Sequence, residues 1–152
     1  MFVPPLVIVS VIVSGVFFLW NYASRVGVYN GLLVSAQAPT GPAEIIGMID
    51  AVIKSLGIHA FVGLISALVS VLSGTITIEP PGGVLGLLLS VLVLTWPIFF
   101  GRRIVYEAAL DAFQTPDWKD DSVIMLDIFF RSAGVCQVLA WIFGLVLAWI
   151  SG

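Results

Sequence analysis

The sequence predicts an all-α, polytopic membrane protein whose four transmembrane helices form two tandem, duplicated helical hairpins. Three observations predict this fold class. The 152 residues are 60 % hydrophobic and 10 % charged, with a mean hydropathy of +1.14. That is more apolar side chain than a soluble core of this size can bury. The apolar residues fall in four long stretches, and the second half of the chain repeats the first.

Each apolar stretch is long enough to cross a hydrocarbon layer of about 30 Å, which takes about 20 helical residues. The stretches cover residues 3–22, 56–76, 83–101 and 132–151. The first lacks the positively charged start of a secretory signal, so we expect it to be a retained helix. Pro97 is expected to kink the third span or to mark its end.

Proline and glycine mark the connections between the spans. Polar segments centred on residues 38–42 and 114–118 join the first span to the second and the third to the fourth. The second and third spans are joined only by residues 74–82, which predicts a tight reversal.

The basic residues predict the orientation. All six Lys and Arg residues fall in the two long connections, and cationic residues of short loops stay on the cytoplasmic side. We therefore expect both long connections to face the cytoplasm, and both termini to be non-cytoplasmic, in a bacterial-type inner membrane or its equivalent.

The internal repeat has an offset of 77 residues. At that offset 16 of 75 aligned pairs are identical, where this composition would produce roughly six or seven by chance. Ten of the 16 lie in residues 25–57, among them matched Arg, Tyr, Gln, Pro and Asp. The sequence therefore predicts two-helix repeats at 1–76 and 77–152, in the same orientation and within one membrane domain.

The best matched residues predict helices that continue beyond the membrane. Arg25, Tyr29, Leu33 and Gln37 recur every four residues and so share one helix face, as do their counterparts 77 residues later. No helix breaker separates them from the apolar spans, so we expect cytoplasmic helical extensions.

A polar layer is predicted at the cytoplasmic membrane surface. If each hairpin turns near residue 40 or 117, Tyr29 lies level with Asp50 or Ala51, and Arg25 lies level with Ser55. Ion pairs of Arg25 with Asp50, and of Arg102 with Asp127, are expected within the hairpins. The layer, a candidate partner-binding surface or ion vestibule, comprises Arg25, Tyr29, Asp50, Lys54, Arg102, Tyr106, Asp127 and Arg131.

Small residues at a spacing of four predict where helices pack. Small side chains let membrane helices approach closely. The second and fourth spans carry such stripes, and we expect them to pack on each other, or on a neighbouring subunit, through Gly63, Ala67, Ala140 and Gly144.

Composition excludes several function classes. An isoelectric point near 4.7 with six basic residues argues against nucleic acid as a partner. One His and one Cys cannot supply a metal site, and no nucleophile–base pair or phosphate loop is present. We therefore expect no catalytic residue, no metal and no cofactor. His59 and Cys136, at matching repeat positions, are read as interfacial polar groups or as a pH-sensitive proton relay.

Two known families share gross features with the chain. Tandem two-helix hairpins resemble the duplicated proteolipid rotor subunits of vacuolar-type ATPases, but the glycine-rich helices and the mid-membrane Glu of that family are missing. Length, topology and the segment 40–44 are similar to the membrane-bound glutathione and eicosanoid family, whose basic and Asn-x-x-Glu pattern on the second helix is also missing. The chain is assigned to neither.

The leading interpretation is a non-enzymatic integral membrane subunit of a larger homo- or hetero-oligomeric complex, with membrane lipid and other subunits or copies of itself as partners. The alternative is a small ion channel or transport unit whose cytoplasmic vestibule is the Arg-Tyr-Asp-Lys layer.

Overall fold

The described residues form five helices. The computed structural model describes residues 5–38, 41–74, 83–114 and 118–151, with the side chains in these ranges except at 5–8, 10, 11, 118–121 and 151. The helices are α1 (Pro5–Ala23), α2 (Arg25–Gln37), α3 (Gly41–Leu72), α4 (Gly83–Gln114) and α5 (Trp118–Ser151). The prediction of an all-α protein is confirmed over these ranges.

Three of the helices are long and apolar enough to cross a membrane. They are α3, α4 and, over Ser122–Ile150, α5. The first predicted span falls on α1, where the described apolar helix, Ile12–Ala23, is shorter. The chain is thus a helical protein with the character of an integral membrane protein.

The long helices continue from apolar into polar sequence without interruption. At 1.5 Å per residue, the 32 residues of α3 and of α4 reach about 48 Å, well beyond a hydrocarbon layer of about 30 Å. Pro97 lies inside α4, which continues to Gln114, so the proline does not end the helix.

In the first half of the chain, the corresponding helix is interrupted. Ser24 separates α1 from α2, whereas α4 is continuous. The Ser24 hydroxyl donates to the Trp20 carbonyl at 2.8 Å, and the Ser24 amide donates to the same carbonyl at 2.9 Å. A serine that bonds back to the preceding turn distorts a helix. The next turn still forms, because the Val28 amide donates to the Ser24 carbonyl.

The predicted turns lie largely outside the described residues. The connection near residue 40 is bounded by Gln37 and Gly41, and that near residue 116 by Gln114 and Trp118. The predicted reversal between the second and third spans also lies mostly outside them, apart from Gly74 and Gly83, both with positive φ.

The protein packs most tightly on the side of the two long connections. A buried core there comprises Tyr29, Tyr106, Ala109, Ala112, Ile124 and Ile128, on α2, α4 and α5. The opposite ends of α3, α4 and α5 expose large apolar side chains, for example Leu72, Val84 and Trp149. The buried interior therefore surrounds the region that the sequence repeat preserved best.

Helices α3 and α5 make the most extensive helix–helix contact, and they cross at Gly57 and Gly134. A Cβ at Gly57 would overlap the Phe130 carbonyl, and one at Gly134 would overlap the Ile53 carbonyl. Only glycine permits this approach.

The predicted intramolecular packing through the small-residue stripes is therefore wrong in position. A Cβ at Gly63 or at Gly144 would have no neighbouring atom within 4 Å, so Gly63, Ala67, Ala140 and Gly144 do not form the crossing. The crossing of α3 and α5 lies about two turns closer to the long connections than these stripes do. Beyond the crossing the two helices separate. Packing of these stripes on a neighbouring subunit stays a prediction.

Candidate functional site

Six charged and phenolic side chains meet beside the Gly57–Gly134 crossing. We refer to them as the six-residue cluster. They come from α2, α3, α4 and α5, and comprise Tyr29, Asp50, Lys54, Tyr106, Asp127 and Arg131.

Asp50 accepts bonds from three donors. Its Oδ2 lies 2.8 Å from Lys54 Nζ and 2.6 Å from the Tyr106 hydroxyl. Its Oδ1 accepts from Arg131 Nε at 2.7 Å. Both carboxylate oxygens are thereby engaged.

Asp127 has a matching set of donors. Its Oδ1 lies 2.7 Å from the same Lys54 Nζ. Its Oδ2 accepts from the Tyr29 hydroxyl at 2.5 Å and from Arg131 Nη2 at 3.1 Å. Lys54 and Arg131 thus each bridge the two aspartates.

The two tyrosines are exchanged between the halves of the sequence. Tyr29 donates to Asp127, and Tyr106 donates to Asp50. Counting from a turn predicts the height of a residue along a helix but not its bonding partner, so the sequence did not predict this exchange. The extensive packing of α4 on α3 brings Tyr106 to Asp50, whereas the Tyr29 side chain extends from α2 to Asp127 of α5.

The aromatic rings follow the same exchange. Lys54 Nζ lies 5.1 Å from the Tyr106 ring centroid, and the Arg131 guanidinium lies 5.2 Å from that of Tyr29. The two tyrosine rings are 6.1 Å apart. Cations over aromatic faces gain further stabilisation, more so when water is excluded.

The cluster is buried and electrically balanced. The side chains of Asp50, Lys54 and Arg131 are at most 8 % exposed, and that of Asp127 is 12 % exposed. Two carboxylates face two cations, so the formal charge is zero. Burial and the adjacent Asp127 carboxylate raise the pKa of the Tyr29 phenol, which keeps that hydroxyl protonated as a donor. Buried charges are tolerated in this way, when paired and hydrogen-bonded.

Arg25 and Arg102 do not join the cluster, contrary to prediction. Arg25 Nη1 donates to the Tyr22 carbonyl at 2.7 Å, and Arg102 Nη1 donates to the Phe99 carbonyl at 2.6 Å. Each guanidinium also lies over the ring of the residue whose carbonyl it binds. The predicted ion pairs of Arg25 with Asp50 and of Arg102 with Asp127 are absent among the described residues. Arg102 folds back onto the preceding turn of α4, and Arg25, at the start of α2, folds back onto the last turn of α1.

A layer of hydroxyl groups lies next to the cluster, and sequence reasoning did not single it out. Ser55 Oγ donates to the Ala51 carbonyl at 2.7 Å and lies 3.1 Å from Thr95 Oγ1. Ser132, 77 residues after Ser55, is also buried, but its hydroxyl has no partner in the described part of the chain. The identical pairs Ser55/Ser132 and Gly57/Gly134 in the repeat were the available signal for this region.

The polar groups of the cluster bind mainly one another. The oxygens of both carboxylates are engaged, both phenols donate to carboxylates, and both cations bridge the two aspartates. A general base needs a free oxygen or nitrogen near a substrate, whereas the carboxylates here are occupied by bonds within the cluster. His59 and Cys136, half-buried at the matching repeat positions, lie outside it.

No family model, curated protein or solved structure matches this chain. What the site does is therefore inferred from its geometry.

Proposed function

We propose that this protein is a non-enzymatic integral membrane subunit of a larger homo- or hetero-oligomeric complex, in which the six-residue cluster joins the two halves of the chain. The complete pairing of Asp50 and Asp127 is the observation that carries this proposal. A buried polar network in which every member is satisfied favours one arrangement of the helices over others.

The exterior next to the cluster supports an assembled state. Ile45, Ile46 and Ile49, in the first third of α3, are 50–60 % exposed. Val123 and Leu126 of α5 are each 55 % exposed at the same end of the molecule. The long helices extend beyond a hydrocarbon layer of about 30 Å. Exposed apolar surface outside that layer is characteristic of protein–protein contacts.

The proposal includes four spans, with α1 as the fourth, and a duplicated hairpin. Its support is the exchange of equivalent contacts at an offset of 77 residues, which relates Tyr29 to Tyr106, Asp50 to Asp127 and Gly57 to Gly134. The distribution of basic residues favours long connections on the cytoplasmic side and both termini outside.

The mass of the native particle tests this proposal. The full chain, extracted in mild detergent, is expected to run as a particle of several chains or with other subunits, above the 16.3 kDa of one chain plus its detergent. Multi-angle light scattering after gel filtration measures this. A monodisperse monomer, both after extraction and after reconstitution into lipid nanodiscs, would contradict the proposal.

Site-specific cross-linking adds a matched control. In a Cys136→Ser background, Gly144→Cys is expected to form disulfide-linked dimers, if the stripe meets another copy of the chain, more readily than Leu145→Cys on the adjacent face. Equal cross-linking at both positions would indicate random collision instead.

The rival function, an ion channel or transport unit, is tested by flux. Reconstituted liposomes should show no ion flux above empty vesicles if the cluster is a joint. A flux that changes on Asp50→Asn or Asp127→Asn, while the variants stay folded, would favour the rival.

A further inference from the structure

A cleft of about 320 Å³ opens beside the six-residue cluster, between α3, α4 and α5. We refer to it as the Arg102 cleft. Its wall is largely apolar and includes Ile58, Ile98 and Phe130, with Gly101 in the helix that bounds it. Lys54, Arg102 and Asp127 supply its charged groups.

Arg102 carries a positive charge that the described residues do not neutralise. None of their ion pairs includes it. Its Nη1 is bound to the Phe99 carbonyl, and its buried Nε has no hydrogen-bond partner among them. Gly47 leaves room for the side chain, since a Cβ there would lie 2.9 Å from Arg102 Nε.

The other charged side chains that line the cleft, Lys54 and Asp127, are already paired. Lys54 is bound by Asp50 and Asp127, and Asp127 accepts from Tyr29 and Arg131 as well. Because the six-residue cluster is neutral, Arg102 leaves the cleft with one net positive charge. The buried Nε lies against Gly47, away from a ligand, but the unbalanced guanidinium charge favours an anionic ligand.

The apolar wall of the cleft and the exposed aromatic side chains near it indicate which kind of anion binds. Trp96 stacks on Phe100 with ring centroids 5.5 Å apart, and both rings are more than half exposed. Exposed tryptophan on a membrane helix marks the headgroup level. Basic pockets between membrane helices at that level bind anionic lipid headgroups.

We propose that the Arg102 cleft binds an anionic phospholipid, with the lipid phosphate at the Arg102 guanidinium and an acyl chain along Ile58 and Ile98. The phosphate supplies the missing counter-charge, and the chain occupies the apolar wall. A free phosphate ion would satisfy only the first of these requirements.

Competition between lipids tests the proposal on the full chain. The detergent-extracted protein is incubated with equal amounts of phosphatidylglycerol and phosphatidylcholine, and bound lipids are counted by native mass spectrometry. We expect phosphatidylglycerol to be retained in preference to phosphatidylcholine. Arg102→Gln should reduce that preference about fivefold, the effect expected for one basic residue at a membrane surface. Arg102→Lys should retain part of it.

The neighbouring arginine provides a matched control. Arg103 is exposed and paired with Glu107 at 2.8 Å, so Arg103→Gln makes the same charge change outside the cleft and should leave the lipid preference intact. A loss in both variants would show a general charge effect and overturn the proposal, as would no loss in either.

A second variant tests the cleft without touching Arg102. A Cβ at Gly101 would meet nothing within 4 Å, so Gly101→Leu adds bulk to the cleft and should lower phosphatidylglycerol binding with Arg102 in place. It also decides the matter if Arg102→Gln fails to fold by circular dichroism and gel filtration. Unchanged binding in folded Gly101→Leu would overturn the proposal.

Inorganic phosphate distinguishes the two sources of the anion. The width of the phosphorus NMR line of inorganic phosphate should be the same in the presence of the wild-type protein and of Arg102→Gln. Broadening specific to the wild type, together with equal retention of the two lipids, would assign the cleft to free phosphate and overturn the lipid proposal.

Discussion

Gly57 and Gly134 face each other's helices at the crossing of α3 and α5. Gly57 faces the carbonyl of Phe130, four residues before Gly134, and Gly134 faces that of Ile53, four residues before Gly57. The Asp–Lys–Asp–Arg pairing requires this close approach, because Lys54 of α3 and Arg131 of α5 each reach an aspartate on the other helix.

Gly57→Ala and Gly134→Ala are expected to destabilise the fold severely. The added Cβ overlaps backbone that cannot move without separating the helices, so the cost should reach at least about 3 kcal/mol, the upper end of ordinary overpacking. Thermal unfolding of the detergent-extracted protein, followed by circular dichroism, measures it. Gly27→Ala and Gly31→Ala in α2, where a Cβ would meet nothing within 4 Å, are the controls, expected to be neutral or stabilising by up to about 1 kcal/mol. Equal effects at all four positions would contradict the crossing.

Asp50→Asn should destabilise the protein by about 3–5 kcal/mol, because it leaves Lys54 and Arg131 sharing one carboxylate in a buried site. Glu107→Gln removes an exposed carboxylate paired with Arg103, and its effect should stay below about 1 kcal/mol. The difference in unfolding temperature between the two variants is the measurement. A double variant, Asp50→Asn with Lys54→Met, should recover part of the loss, since it restores the charge balance. No recovery would show that the loss is not electrostatic.

Tyr29→Phe and Tyr106→Phe should weaken the fold by similar, modest amounts. Each removes one hydrogen bond to a charged carboxylate that keeps both of its cations, which costs about 1.5–3 kcal/mol. Chemical denaturation of each variant gives the two values. Strongly unequal losses would show that the two halves of the cluster are not energetically equivalent.

Ser55→Ala and Ser132→Ala should differ, although the residues match in the repeat. Ser55 loses bonds to Ala51 and Thr95, at a cost of about 1 kcal/mol, whereas Ser132 loses a buried hydroxyl with no described partner, which should be neutral or stabilising. Unfolding temperatures test the sign. Destabilisation by Ser132→Ala equal to that by Ser55→Ala would reveal a bond to Ser132 in solution.

The positions of the helices could be predicted from the sequence, and so could the level along them at which the six-residue cluster lies. Hydropathy indicates where helices lie, and a spacing of four without a breaker indicates that they continue. Tyr29, Asp50, Lys54 and the residues 77 positions later share one layer, as their matching distances from the predicted turns indicate.

The partners within that layer could not be predicted. Tyr29 bonds Asp127 of α5 although α2 packs on α3 and α4, and periodicity within one helix does not indicate such a contact. The position at which α3 and α5 cross could not be predicted from the small-residue stripes for a related reason. Small side chains permit close approach anywhere along α3 and α5, but only at Gly57 and Gly134 does the helix geometry use it.

The position of the ion pairs along the chain has a consequence for biogenesis. Asp50 is paired with Lys54 four residues later in α3, and Asp127 is paired with Arg131 four residues later in α5. Each of these two helices therefore supplies a counter-charge to its own aspartate one turn away. The pairs of Lys54 with Asp127 and of Arg131 with Asp50 require both helices to be together. Because α3 is synthesised before α5, the pairing of Asp50 with Lys54 does not depend on the later helix.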